Sequence, residues 1–183
     1  MRRKTRRIKG LRTKKANIGK ILLIIGLLFL VYFALANKKI ESLEVTYTPQ
    51  ISTSGFLKVN VKAYVQDNYG IVVLKSNCWE LVGYTEREQA RSIALGIEKK
   101  IEFRPLTHDL IKDIFDSYGI KILMVKVVDI KNNTFIAETI LQQGNKVLTL
   151  DSRPSDGIAI AVRYDAPIYV KKELMENYGR YTC

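Results

Sequence analysis

Cysteine, histidine and tryptophan are nearly missing from this 183-residue chain, which holds two, one and one of them. Cys78 lies in an apolar run and Cys183 is the last residue, so neither a disulfide framework nor a zinc-ligand spacing can be drawn. Cys78 is expected to be a small core residue. With His108 as the lone histidine, a histidine-cluster metal site is excluded, and no dense acidic motif of the two-metal kind is present. Acidic residues are absent from the first 40 positions, which carry 12 of the 30 Lys and Arg. Subtracting 12 from 30 leaves 18 basic residues against 18 acidic ones from residue 41 onward, so that remainder is formally neutral. A broad basic nucleic-acid footprint on the domain is thereby excluded. Local patches remain, Arg104 with Arg153 and Arg163 or Lys99 with Lys100, of which the lysine pair also reads as solvated surface.

Residues 21–36 form one unbroken apolar run behind the basic arm of residues 1–20. Its helical length approaches the ~30 Å of bilayer hydrocarbon, with Lys20 able to snorkel. The expectation is a single-pass transmembrane anchor. Positive charge before the run places the N-terminus in the cytoplasm and the domain on the extracytoplasmic side, with the arm against anionic lipid headgroups of the bilayer. Ala34-Leu35-Ala36 also resembles a signal-peptidase site, so a cleaved signal peptide is the alternative. Residues 37–55, with a short strand from Leu43 to Thr48, read as a tether, and residues 56–180 as the folded domain.

Within that domain, Leu57, Val59, Val61, Ala63 and Val65 alternate with polar residues, as in a half-buried strand. Asp67-Asn68-Tyr69-Gly70 turns the chain into further strands through Val82. Thr85 and Glu88 read as a capping box for a helix whose Ala90, Ile93, Ala94 and Ile97 share one face. The run from Ile120 to Ile130 is apolar on both faces and predicts a central strand, followed by strands over residues 134–142 and 146–150. Helices are predicted over residues 108–117, 156–164 and 171–178, with a short strand at residues 167–170. The fold class is α+β: a mixed, largely antiparallel sheet with three to four helices, preceded by the transmembrane helix.

One local design occurs twice, in Arg104-Pro105-Leu106-Thr107-His108-Asp109-Leu110 and in Asp151-Ser152-Arg153-Pro154-Ser155-Asp156-Gly157. Each proline pushes the arginine before it into extended geometry at a helix start. Thr107 and Ser155 are expected as N-caps, with Asp109 and Asp156 complementing the positive helix ends. Side by side, the two starts would gather Arg104, Arg153, His108, Asp109, Asp151 and Asp156. The same residues also suit a bland reading, in which the acids answer helix dipoles and the arginine–carboxylate pairs brace loops.

These two segments, together with Gln89-Ala90-Arg91-Ser92-Ile93-Ala94-Leu95 and Ala166-Pro167-Ile168-Tyr169-Val170, resemble the bifunctional nuclease domain over residues 59–178. Gly157 and Gln89 stand where members of that family usually have Ala and Glu. The resemblance implies hydrolysis of phosphodiester bonds in DNA or RNA, and a homo-oligomer. On that reading Arg104, Arg153 and Ser155 bind the substrate, and Asp109, Asp151 and Asp156 hold Mg²⁺ or Mn²⁺. His108 then transfers a proton or joins the metal, beside catalytic Asp109, Asp151 and Asp156. The rival expectation is a noncatalytic membrane-tethered binding or assembly module.

Overall fold

A computed structural model describes the backbone of residues 14–41 and 50–183, with side chains for residues 19–35 and 50–183. The expected strand from Leu43 to Thr48 and most of the basic arm lie outside the described residues. The chain divides into two units, Met1–Thr46 and Tyr47–Cys183.

In the first unit, α1 runs from Lys14 to Glu41. Its large apolar side chains from Ile21 to Leu35 are all exposed, Leu23 at 67 % and Tyr32 at 70 %. Among the described residues no helix is long and apolar enough to cross a membrane. The transmembrane anchor expected over residues 21–36 is therefore not supported as a span.

The second unit is built on one eight-stranded sheet. Its strands are β1 (Phe56–Gln66), β2 (Tyr69–Ser76), β3 (Trp79–Glu86), β4 (Ile120–Lys131), β5 (Thr134–Gln143), β6 (Lys146–Ser152), β7 (Ile168–Lys171) and β8 (Arg180–Tyr181). They lie in the order β6-β5-β4-β7-β1-β2-β3-β8. Every pairing is antiparallel except that of β4 with β7. The strand apolar on both faces, β4, does sit inside the sheet, between β5 and β7. Central β7 is only four residues long, and β1 pairs with it only over Phe56 to Val59 before continuing with β2. Two wings, β4-β5-β6 and β1-β2-β3, extend on either side.

Among the described residues, four helices belong to this unit: α2 (Arg87–Ile97), α3 (Thr107–Tyr118), α4 (Pro154–Arg163) and α5 (Lys172–Tyr178). Helix α4 is the central one, packed against α2, α3, β4 and β5. Burial of Gly157, Ile158, Ala159, Ile160 and Ala161 explains why its sequence is apolar nearly all round. Ile93, Val125, Val127, Ile158, Val170 and Met175 are the large fully buried side chains of the core. Gly119, with φ of 63°, ends α3 in the left-handed conformation expected of a terminating glycine.

Three expectations need correction. Residues 50–55 are fastened to the domain, because Lys126 Nζ donates to the Ser52 carbonyl at 2.6 Å and the Lys172 amide to that of Gly55 at 2.9 Å. The helix starts shift: Thr85 lies within β3, and the residues flanking α2, α3 and α4 are Glu86, Leu106 and Arg153. Proline at the first position of α4 moves that boundary forward, since its missing N–H costs a helix nothing there. Finally, Cys78 is disulfide-bonded to Cys183, with Cα atoms 5.0 Å apart. The cause is the unforeseen strand β8, which returns the chain terminus to the edge of β3. There Trp79 meets Tyr181 edge-on and Arg180 pairs with Glu80 at 3.0 Å.

Candidate phosphate-binding site

The starts of α3 and α4 come together, and a residue of α2 links them. Arg163, at the end of α4, is buried to 7 % exposure, and its Nε donates to Asp109 Oδ1 at 2.7 Å. Its Nη1 donates to the carbonyls of Ser92 and Ala159 at 3.1 and 2.7 Å, and its Nη2 to Ser92 Oγ at 3.2 Å. Asp109 Oδ2 also accepts from the Leu106 amide at 2.9 Å, closing the first turn of α3. Burial alone would raise the Asp109 carboxyl; the Arg163 guanidinium and the Leu106 amide outweigh it and hold the group below its ordinary value.

Ser92 carries the network onward. Arginine can only donate, so the Ser92 hydroxyl oxygen accepts from Arg163 and has its own proton to give. His108 Nδ1, 2.9 Å away, is its acceptor among the described residues. This donor logic assigns the ring proton to Nε2, which faces Asp156 Oδ1 at 3.6 Å. Burial first, and then the Arg163 charge, push the His108 pKa below its ordinary value despite the pull of Asp156 and Asp109. A neutral ring with Nδ1 occupied and Nε2–H aimed at a carboxylate positions Asp156. It is poorly suited to accept a proton from water.

Asp156 in turn holds Arg153 by a fork, with Nε to Oδ2 at 2.6 Å and Nη2 to Oδ1 at 3.0 Å. Because Arg153 can only donate, the Gln89 amide must turn its oxygen toward it, accepting from Nη1 at 3.0 Å while its nitrogen donates to the Thr85 hydroxyl. Arg153 remains 69 % exposed. One polar chain thus runs from buried Asp109 through Arg163, Ser92, His108 and Asp156 to a solvent-facing guanidinium.

The structure leaves two expected residues out. Arg104 is exposed and has no hydrogen-bond or ion-pair partner among the described residues. Asp151 is exposed on β6, opposite Glu138 of β5. Arg163 is a buried brace, so it belongs to no surface patch. Lys99 and Lys100 are held by Asp165 and Glu98 at 2.8 and 2.6 Å. The proposed metal ligands do not converge: Asp109 is committed to Arg163 and Leu106, Asp156 to Arg153, and Asp151 stands apart. Among the described residues no three His, Cys, Asp or Glu are grouped to hold a metal ion. This donor set does not fit Mg²⁺ or Mn²⁺.

Sequence reading missed Ser92 and the bracing role of Arg163. Both signals were present: a serine beside Ile93 on an otherwise apolar helix face, and an arginine ending a run of small apolar residues.

Arg153, Pro154 and Ser155 border a groove of about 780 Å³. Its walls come from β2 and β3 on one side and from β4 and the β4–β5 turn on the other. Val72, Leu74, Leu81 and Ile158 supply apolar floor, and Thr85, Gln89, Asn133 and Thr134 supply polar groups.

The bifunctional nuclease domain profile matches residues 74–182, more than half of the chain. The chain belongs to the bifunctional nuclease domain family. An uncharacterized protein of Mycobacterium tuberculosis (strain ATCC 25618 / H37Rv) is 39 % identical over 93 residues, 51 % of this chain and 55 % of the relative. Bifunctional nuclease 2 and bifunctional nuclease 1 of Arabidopsis thaliana are 37 % and 34 % identical over 79 residues, 42 % of this chain and 24 % of each relative. The chain therefore spans about half the length of the mycobacterial relative and about a quarter of the plant ones. The matched region of this bifunctional nuclease domain includes Gln89, Ser92, His108, Asp109, Arg153, Asp156 and Arg163, the whole of the polar chain.

Proposed function

We propose that this bifunctional nuclease domain acts on phosphodiesters, holding a nucleic-acid phosphate on Arg153 at the mouth of the groove. Family membership and the plant relatives named as nucleases support a nuclease-like function. The observation that carries the reading is the Asp156–Arg153 fork: an exposed guanidinium, fixed in orientation, beside Ser155 and an open groove. A planar guanidinium presents paired donors to phosphate oxygens. When phosphate engages Arg153, Asp156 retains the His108 Nε2–H as a partner and has a lone pair free to orient an attacking water. His108 acts through Asp156, as a positioning residue.

Incubating the full chain with DNA and with RNA, with Mg²⁺, with Mn²⁺ and with chelator, tests this reading. Cleavage that falls at least about tenfold in Asp156→Asn is the expected result, since that change removes a charge-assisted contact. Folded protein that cuts nothing under any condition favours the noncatalytic module, a reading the formally neutral domain also suits.

We further propose that α1 attaches the domain to a bilayer, with the domain on the extracytoplasmic side. Its exposed apolar surface and flanking lysines support attachment, and the Cys78–Cys183 disulfide suits an oxidising compartment. Self-association finds support in β6, an edge strand that leaves Val147, Leu148 and Leu150 exposed. Protection of the domain from protease in sealed cells would reverse the orientation, and a strictly monomeric mass in solution would remove the self-association.

A further inference from the structure

We propose that the groove beside Arg153 receives an unpaired nucleobase, so that the substrate is single-stranded nucleic acid. This rests on the phosphodiester reading above and goes further by naming the state of the strand. A site that binds only phosphate needs a guanidinium on an open surface. Here the guanidinium borders a groove of about 780 Å³ whose floor is apolar, formed by Val72, Leu74, Leu81 and Ile158. Phosphate cannot use that floor; a flat aromatic ring can.

The rest of the lining agrees with a base. Phe135 and Tyr178 meet edge to face within it, centroids 6.2 Å apart at 85°, and Tyr84 lies on the β3 side. Base faces pack on such rings without regard to sequence. Thr85, Glu86, Asn133 and Thr134 offer donors and acceptors that suit a base edge with no pairing partner.

A duplex would leave these features unused. Its bases are stacked inside, and only phosphates reach a protein groove of this kind. Duplex binding by phosphates alone calls for many cations, and residues 41–183 carry 18 basic against 18 acidic side chains. One oriented arginine beside an apolar groove matches one phosphate and its adjoining unstacked base.

Four probes against the full chain test the inference: a short mixed-sequence single-stranded DNA, its RNA counterpart, the same DNA annealed to its complement, and an abasic strand of equal length. The abasic strand keeps the phosphates and removes only the rings. Single strands of either sugar are expected to bind at least about tenfold tighter than duplex and abasic strand, with a shallow salt slope of about −0.7 to −1.4 for one or two phosphates. Phe135→Ala is expected to weaken single-strand binding about fivefold or more. Should that variant unfold, the abasic comparison on unaltered protein still decides. Equal binding of normal and abasic strands, or of single strand and duplex, overturns the inference while leaving the phosphodiester reading intact. Failure of every probe to bind or be cut overturns both.

Discussion

Asp109 and Arg163 are 54 residues apart in sequence and share a buried 2.7 Å ion pair that joins the start of α3 to the end of α4. Side-chain exposures of 4 % for Arg163 and 7 % for Asp109 leave solvent little access to either charge. Breaking such a pair from one side strands the other charge, at a cost of about 3–5 kcal/mol. Asp109→Leu is therefore expected to lower unfolding free energy by that amount in denaturant titration. A loss below about 1 kcal/mol would mean that the pair does not brace the helices. The stabilisation from Asp109 is present above its unfolded pKa near 3.8 and is lost as pH falls through its lower folded value.

His108 gives a second pH dependence in a different window. Its folded pKa lies below 6.5, so below about pH 6.5 the unfolded chain binds a proton that the folded chain resists. Stability is expected to decline as pH drops through that region toward the folded pKa. In His108→Gln the decline below about pH 6.5 should flatten. An unchanged pH profile in this variant would contradict the neutral, Nε2-protonated ring.

The disulfide closes 105 residues of sequence separation between Cys78 and Cys183. On the chain-entropy account a loop of that size contributes about 4–5 kcal/mol. Reduction, or Cys183→Ser, is expected to lower the thermal midpoint clearly and to release β8 from the edge of β3. Hydrogen exchange at Arg180 and Tyr181 reads that release, and protection that survives reduction would argue against it.

Gly157 sits where a Cβ would lie 2.7 Å from Thr139 Oγ1 and 3.2 Å from Val125 Cγ1. The Thr139 hydroxyl is itself held by Ser152 Oγ at 2.8 Å. Alanine would gain about 1 kcal/mol of helix propensity but force this contact apart at about 1–3 kcal/mol. Gly157→Ala is expected to be net destabilising in this chain, with Thr139→Ala relieving the loss in the double variant. Additive losses in the double variant would refute the contact as the cause.

Much of the sheet was legible because its pattern is local. Alternation from Leu57 to Val65 and the two-faced apolar run from Ile120 to Ile130 each follow from what one strand buries. The twin arginine–proline turns also announced two helix starts, and the structure does unite His108, Asp109, Asp156 and Arg153. What stayed hidden depends on distant partners. Ser92 reads as a stray polar residue until Arg163 arrives from 71 positions away. Asp109 and Asp156 look equivalent in sequence, yet one is locked by a buried guanidinium and the other by an exposed one. Cys78 read as core because the two-residue strand that brings Cys183 to it has no pattern of its own.

Arg153 is where the buried chain of contacts reaches solvent, so it carries the account's central claim. The most direct measurement is the binding of a short single-stranded oligonucleotide to Arg153→Ala and Arg153→Lys, with unfolding midpoints recorded for both. The account predicts at least about a tenfold loss of affinity in the alanine variant, partial recovery in the lysine variant, and midpoints within a few degrees of the unaltered chain. Undiminished affinity in folded Arg153→Ala would contradict it.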